Sequence, residues 1–378
     1  MHFVMKLSKL CNLRCTYCYE YEELGNKERM PLEGLAYFFR NLADYLKTNP
    51  LSSPLHFILH GGEALLLPHS YLRGFRNLQR QYLDAAGIEY TTAVQSNLVQ
   101  ISERTLDLLA EENISLGVSF DVFGDQRVDI KGRNSQEAVL ANMQRLLDRN
   151  IPFGAIAVLH RFNIDHVVPT YQFFNELGIN YRILPIFSHV DPPSRIEPLL
   201  VSHEETVTAL QKVAQAQFQQ PINIRVLPLW NYFMAAIRYL TGKSTKIYDP
   251  AQEEWAYIVN TNGDLYNHGD AYRPEGLMGN IFCQSLTDIR QSAAYKETIA
   301  LRHNRLATCG RCSFNGYCHQ LPVAEAIPTE RLYDATENLQ CPIAKAMIQF
   351  MIQQIEQSPD SQLLLNAVES ASPLSVPV

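Results

Sequence analysis

Short apolar runs alternate with longer amphipathic stretches through the first half of the chain. The short runs are rich in β-branched and aromatic residues, whereas the longer ones repeat apolar residues at helical spacing, as at Val139, Met143 and Leu146. Six such repeats predict an α/β fold with a parallel sheet, a (β/α)6 partial TIM barrel, although a doubly wound sheet fits the same pattern. The predicted strands are 2–7, 55–59, 90–95, 115–120, 153–159 and 181–186, and the predicted helices are 31–46, 104–112, 135–149 and 171–177.

The alternation ends near Leu200, after which the pattern changes. Residues 201–218 and 230–240 predict two helices, and residues 255–259 followed by Asn262-Gly263-Asp264 predict a strand and a tight turn. Cysteines become frequent again after that turn. We predict four segments, which are a partial barrel over 1–215, bridging helices over 216–250, a cysteine-rich domain over 251–357 and a disordered tail over 358–378.

Composition and charge narrow the class of protein. Hydrophobic residues make up 46% of the 378 positions and charged residues 19%, as in ordinary globular proteins. The net charge of −7 gives no electrostatic reason to expect nucleic acid or an anionic membrane as a partner. The chain has no long apolar run and no signal-peptide pattern at its start, so we predict a cytoplasmic protein. In that reducing compartment, clustered cysteines more often bind metal than form disulfides.

Three of the eight cysteines, Cys11, Cys15 and Cys18, follow the first predicted strand with the spacing C-x3-C-x2-C. A [4Fe–4S] cluster held by four thiolates is coordinatively closed, whereas three thiolates leave one iron open to a small molecule. The alternative is a zinc site that lacks a ligand, but zinc motifs usually pair one C-x2-C with a second, and none lies nearby. The motif therefore predicts an iron–sulfur cluster with an open iron.

Other polar and glycine-rich residues also follow predicted strands. His60-Gly61-Gly62-Glu63 comes after the second, Ser96-Asn97 after the third, and Ser119 and Asp121 bracket the end of the fourth. The carboxyl ends of parallel strands share one edge, which is where ligands bind in such folds. Each residue also has a structural alternative: the glycines suit a simple turn, Ser119 and Asp121 suit caps, and His60 suits a packed core histidine.

Together these motifs resemble those of the radical S-adenosylmethionine (SAM) superfamily, over about residues 1–190. The resemblance implies a [4Fe–4S] cluster on the three cysteines that binds SAM and cleaves it reductively to a 5′-deoxyadenosyl radical. Ala64 and Leu98 depart from the family, which usually has proline and glycine there. The residues that the resemblance places at SAM are Tyr17, Gly61, Gly62, Glu63, Asn97, Ser119, Asp121 and Arg127.

Four further cysteines, Cys309, Cys312, Cys318 and Cys341, supply enough thiolates to close one site. Their chemistry alone allows zinc or an iron–sulfur cluster. The segment resembles the SPASM domain that follows some radical SAM domains, and this implies one auxiliary [4Fe–4S] cluster. The cysteines that would bind a second auxiliary cluster are missing, and Cys283 is predicted to be a buried free thiol.

Enzymes with this combination mostly modify peptides, and the motifs resemble those of maturases of ribosomally made peptides. The resemblance implies a precursor peptide as substrate, a side-chain cross-link of the cyclophane type as product, and an electron donor such as flavodoxin or ferredoxin. One alternative is an anaerobic sulfatase-maturating enzyme, which forms formylglycine but normally carries both auxiliary clusters. Another is a metal-binding scaffold without activity. No catalytic base is identified, although Asp264 and Asp270 lie in the relevant region.

Overall fold

The computed structural model describes residues 1–358 except for 52, 188–192, 220–222, 246, 252–255, 268–273, 319–322 and 324–325. Its strands form one sheet in the order β10-β9-β8-β1-β2-β3-β4-β5-β6-β7. Neighbouring strands from β8 through β1 to β7 are parallel, and β8, β9 and β10 are antiparallel. The predicted α/β class and partial barrel are confirmed. The strands are β1 His2–Ser8, β2 Leu55–Gly61, β3 Tyr90–Ser96, β4 Ile114–Ser119, β5 Phe153–Leu159, β6 Tyr181–Pro185, β7 Val226–Leu227, β8 Ala256–Val259, β9 Asp264–Asn267 and β10 Leu277–Asn280.

Helices cover the outer face of the sheet, and their ends carry the expected signals. Pro31 precedes the first of them, and the side chain of Ser102 accepts a hydrogen bond from the backbone N–H of Thr105. Ser202 and Glu205 form a capping box at the start of another. The helices are α1 Leu32–Thr48, α2 His69–Tyr82, α3 Glu103–Glu111, α4 Gln136–Asp148, α5 Val167–Glu176, α6 His203–Phe218, α7 Leu229–Thr241, α8 Leu286–Gln291, α9 Ala293–Gly310 and α10 Pro342–Gln357.

Two parts of the barrel differ from the prediction. Helix α2 was not expected, because its polar sequence contains Gly74 at an interior position. A β-carbon on Gly74 would lie 3.0 Å from the Leu32 side chain, so the glycine allows α2 to pack closely against α1. The segment 216–250 was expected to contain only helices, yet its residues Val226–Leu227 form β7 and pair with β6. The barrel therefore gains a short seventh strand.

The hydrophobic core joins the two halves of the sequence. Phe3 on β1 is fully buried and stacks on Phe57 of β2 and on Tyr257 of β8, with ring centroids 5.6 and 5.3 Å apart. Helix α10 packs against α6 and α7. Strand β8 thus continues the sheet of the barrel beside β1. Among the described helices, none combines the length and the apolar character needed to cross a bilayer.

Two predictions concern the region after β8. The glycine of the predicted tight turn, Gly263, has a φ of 90°, which side chains other than glycine rarely adopt. Cys283 is exposed, so the prediction of a buried thiol was wrong. The neighbouring Phe282 takes the interior position instead and packs over Gly34 and Gly263. The predicted tail lies outside the described residues from 359 onward, as does Asp270.

Candidate cofactor site

The three N-terminal cysteines lie on a loop that begins where β1 ends. The backbone N–H groups of Arg14 and Thr16 donate hydrogen bonds to the carbonyls of Val128 and Gln126, at 2.7 and 3.0 Å. Arg195 donates to the carbonyl of Thr16 at 2.8 Å. The cysteine loop is therefore held from two other parts of the chain at the carboxyl edge of the sheet.

Burial raises the pKa of Cys11 to about 12 and that of Cys18 to about 11, and it also raises the pKa of Cys15. Without a bound metal, these groups are therefore neutral thiols at physiological pH, unlike nucleophilic cysteines, whose pKa is lowered. Thiols of this kind become thiolates when iron replaces their protons. Their environment thus fits metal ligands better than covalent catalysts.

Gly61 and Gly62 bring the loop after β2 against the backbone that leads into the cysteine loop. The N–H of Gly62 donates to the carbonyl of Ser8, and the N–H of Glu63 donates to the carbonyl of Leu10, both at 2.8 Å. A β-carbon on Gly61 would lie 2.0 Å from the Ser8 oxygen, and one on Gly62 would lie 2.3 Å from the Leu10 oxygen. Only glycine fits at either position, because the opposing atoms belong to the backbone.

Glu63 connects the loops that follow β2 and β3. Its carboxylate is buried and accepts hydrogen bonds from the Ser96 hydroxyl at 3.0 Å, from the Asn97 backbone N–H at 2.6 Å and from the Leu65 backbone N–H at 3.0 Å. Burial raises the pKa of Glu63, and these donors oppose the increase. Since three protein groups bind this carboxylate, it supports the shape of the rim whether or not it also contacts a ligand.

Asn97 reaches from the end of β3 to the cysteine loop. Its side-chain amide donates to the Asn12 side-chain oxygen at 2.8 Å and lies 3.7 Å from the Cys11 sulfur. The next residue, Leu98, is buried with a φ of 54°, a conformation that glycine favours. The backbone thus keeps a glycine-like shape at a position where the sequence has leucine, and such strain is often found near functional sites.

Tyr17 links Asp121 to Arg127. Its hydroxyl donates to one carboxylate oxygen of Asp121 and accepts a hydrogen bond from Arg127 at 2.8 Å. The other Asp121 oxygen accepts from the backbone N–H of Val158 at 2.7 Å. At the end of β4, Ser119 accepts a hydrogen bond from the Gln95 side chain at 2.8 Å. Tyr17, Asp121 and Arg127 therefore form one hydrogen-bonded network on this edge, and Ser119 forms a separate contact beside it.

Arg127 has an unused donor inside this network. Its Nε is fully buried, and none of the described residues accepts a hydrogen bond from it. Burial alone would lower the pKa of Arg127, but Tyr17, Cys15 and Asp121 together raise it, so the guanidinium stays charged. A buried charged donor without an acceptor is costly and fits an anionic ligand such as the carboxylate of SAM. On this observation, the residues present fit the cofactor.

A second polar cluster, not anticipated from the sequence, lies inside the barrel below the cysteine loop. Lys6 is buried, lies 3.4 Å from Glu20 and 3.3 Å from His60 Nδ1, and donates to the Tyr19 hydroxyl. Burial lowers the pKa of both Lys6 and His60. The sequence did offer one signal of this cluster, which is a lysine within the apolar run of β1. Successive side chains of a strand point to opposite faces, so Lys6 points into the barrel while its neighbours Met5 and Leu7 point outward.

The four C-terminal cysteines also come together. Cys309 and Cys312 lie at the end of α9, Cys318 follows, and Cys341 precedes α10. All four line one cavity of about 270 Å³, far larger than the roughly 30 Å³ that a water molecule occupies in the liquid. Among the described residues, no three His, Cys, Asp or Glu side chains converge closely enough to hold a single metal ion. The cavity suits a group of several atoms, such as a cubane cluster.

Comparisons with known proteins agree with this arrangement. Residues 5–174 match a family model described as the radical SAM superfamily. The chain is 25% identical over 350 residues to a serine-type anaerobic sulfatase-maturating enzyme of Bacteroides thetaiotaomicron. This alignment covers 83% of this chain and 81% of that protein.

Two solved structures share the fold. One is anSMEcpe with bound AdoMet and the Cp18Cys peptide, at a TM-score of 0.74 and 16% identity over 97% of this chain and 99% of that one. The other is Streptococcus suis SuiB bound to its precursor peptide SuiA, at a TM-score of 0.56 and 16% identity over 89% of this chain and 76% of that one.

Proposed function

Because residues 5–174 match the radical SAM superfamily model, we propose that this enzyme oxidises a cysteine or serine side chain of a peptide or protein to formylglycine. SAM and [4Fe–4S] clusters are its cofactors. The chemistry that they supply when bound is reductive cleavage of SAM, which yields a radical able to remove a hydrogen atom from the substrate. The reducing electron comes from a donor such as flavodoxin or ferredoxin.

One observation carries the choice of substrate. The similarity to the sulfatase-maturating enzyme extends over 83% of this chain, through the barrel and into the cysteine-rich segment. The comparisons therefore favour formylglycine formation over the cyclophane cross-link that the motifs predict. A peptide substrate is also consistent with the fold, because a solved structure of the same fold contains a bound peptide.

The protein's own residues would bind and orient the cofactor. Cys11, Cys15 and Cys18 supply three thiolates, and Arg127 offers its unpaired Nε to an anionic group. Gly61 and Gly62 bring backbone from the loop after β2 close to the cysteine loop. In this proposal the network around Tyr17 and Glu63 keeps these groups in place, because preorganised positions reduce the entropy lost in reaching the reactive geometry.

The test uses the iron-loaded enzyme, SAM, dithionite and a peptide that contains a sulfatase active-site cysteine or its serine version. The expected product carries an aldehyde, which a hydrazide reagent traps and mass spectrometry detects. The variant Cys15→Ser should abolish the product, and Cys283→Ser is the matched control because Cys283 is exposed and distant in sequence from both cysteine groups. A product that has lost two hydrogens without reacting with hydrazide would contradict formylglycine formation.

Peptide cross-linking is the second candidate, and the cysteine count favours it. Cys283 is the single cysteine between Cys18 and Cys309, whereas sulfatase-maturating enzymes normally carry a second auxiliary cluster whose cysteines would fall in that interval. Cross-linking removes two hydrogens and leaves no aldehyde. The same assay therefore separates the two candidates when a precursor peptide is supplied beside the sulfatase peptide.

A further inference from the structure

A cavity of about 430 Å³ lies at the amino-terminal edge of the barrel. It is bordered by the first residues of β4, β5 and β6 and by the loops that precede them. The cysteine loop follows the carboxyl end of β1, and these strands are all parallel. The cavity is therefore at the opposite end of the barrel from the cofactor site, and its size falls within the range for small-molecule pockets.

The lining is mostly apolar, with Leu106, Leu109, Leu116, Ile151 and Phe153 among its residues. Two arginines, Arg182 and Arg225, also border it, and no Asp or Glu occurs among its described lining residues. The protein has a net charge of −7, yet the charged side chains among the described lining residues of this cavity are all positive. That combination suits an anion with an apolar body.

Arg182 is the unusual residue in this cavity. Tyr181 beside it stacks on Phe174 of α5, with ring centroids 4.4 Å apart, so strand alternation directs Arg182 to the opposite face, into the barrel. The Nε of Arg182 is fully buried, and no group in the described part of the chain accepts a hydrogen bond from it. Arg182 forms no ion pair or side-chain hydrogen bond with any described residue.

The Nε of this half-buried arginine needs an explanation, because a buried donor without an acceptor is costly. Burial lowers the pKa of Arg182, as expected for a cation without a neighbouring carboxylate. Arg225, in contrast, lies over the ring of Trp230, with the guanidinium carbon 4.9 Å from the centroid. Its position is thus supported by an aromatic face, whereas no aromatic ring among the residues with described positions lies under Arg182.

We propose that this cavity binds a small amphiphilic anion, whose carboxylate or phosphate pairs with Arg182 and whose apolar part contacts the leucine and isoleucine side chains. A guanidinium presents parallel N–H groups that match both headgroups. The site is independent of the proposed peptide oxidation, since it lies at the other end of the barrel. It would allow a metabolite to bind the enzyme without competing with SAM.

The test is calorimetric titration of the iron-loaded full chain with octanoate, octyl phosphate and octan-1-ol. We expect saturable binding of one anion per chain and much weaker binding of the alcohol. Arg182→Met should weaken anion binding roughly tenfold or more, because it removes a charged hydrogen-bond partner. The control Arg149→Met makes the same change at an exposed arginine that is paired with Glu103 and Asp107, and it should leave binding unchanged.

A second variant fills the cavity without touching the charge. A β-carbon on Gly154 would lie 3.6 Å from the Asn180 carbonyl, an ordinary contact, so Gly154→Val should fold and should also weaken binding. The anion that binds more tightly, octanoate or octyl phosphate, shows whether the site prefers a carboxylate or a phosphate headgroup. Absence of saturable binding by both anions, or equal binding to the wild type and Arg182→Met, would overturn the proposal. If Arg182→Met does not fold, unchanged anion binding to Gly154→Val overturns it.

Discussion

The carboxylate of Glu63 accepts a hydrogen bond from the backbone N–H of Asn97 at 2.6 Å, which joins the loops after β2 and β3. The side chain of Asn97 in turn reaches Asn12 in the cysteine loop. One buried carboxylate is therefore connected, through a single residue, to the loop expected to bind the cluster. We expect this connection to help to hold the two loops and the cysteine loop in place.

Glu63→Gln tests that connection. The amide keeps the size of the side chain but replaces one acceptor oxygen with a donor, so at least one of the three N–H or O–H groups at Glu63 loses its partner. We expect the free energy of unfolding, measured in urea, to fall by roughly 1–3 kcal/mol. The exposed Glu111→Gln should change it little. Equal stability of the two variants would show that the carboxylate does not support the rim.

Gly62→Ala tests the close approach of two loops. The added methyl would lie 2.3 Å from the Leu10 oxygen, so the loop before Cys11 must move. We expect a loss of stability of roughly 1–3 kcal/mol and a lower iron content after reconstitution. Gly25→Ala is the control, because a β-carbon there meets no atom within 4 Å. Wild-type iron content in Gly62→Ala would contradict the inferred role of the glycine.

Iron content also tests the number of clusters. Two cubanes correspond to about eight irons per chain. The double variant Cys312→Ser/Cys341→Ser should remove about half of the iron while the cluster on the N-terminal cysteines remains, because it leaves only two thiolates at the separate C-terminal cavity. Cys283→Ser should leave the iron content unchanged. About twelve irons in the wild type would mean that further ligands bind a third cluster.

The sequence predicted the barrel well because its strands and helices have strong local patterns. All six predicted barrel strands occur, and the predicted helix 104–112 is found as α3, with Ser102 as its N-cap. Helix α2 and strand β7 were missed because contacts with α1 and β6, rather than local sequence, stabilise them. The burial of Cys283 was predicted wrongly because Phe282, the residue before it, points into the interior instead. The spacing of the cysteines does not show which of these two adjacent side chains is buried.

The candidate site was predicted in its residue types but not in its connections. Strand order and the positions after each strand were enough to bring Cys11, Glu63, Asn97 and Asp121 to one edge. The bridge from Arg127 through Tyr17 to Asp121 spans more than a hundred residues, and a pattern in a single sequence does not show such pairs. The partner of Lys6, Glu20, lies in the loop after β1, and the spacing of the two residues in the sequence does not show that they form an ion pair.

The central claim is that the cluster on Cys11, Cys15 and Cys18 has an iron that binds SAM. The most direct measurement is the EPR spectrum of the reduced, iron-loaded protein with and without SAM, recorded on Cys312→Ser/Cys341→Ser so that the C-terminal cluster does not contribute. We predict that SAM changes the signal, because SAM bound at the open iron would alter the surroundings of that iron. An identical spectrum before and after addition of SAM would contradict the account.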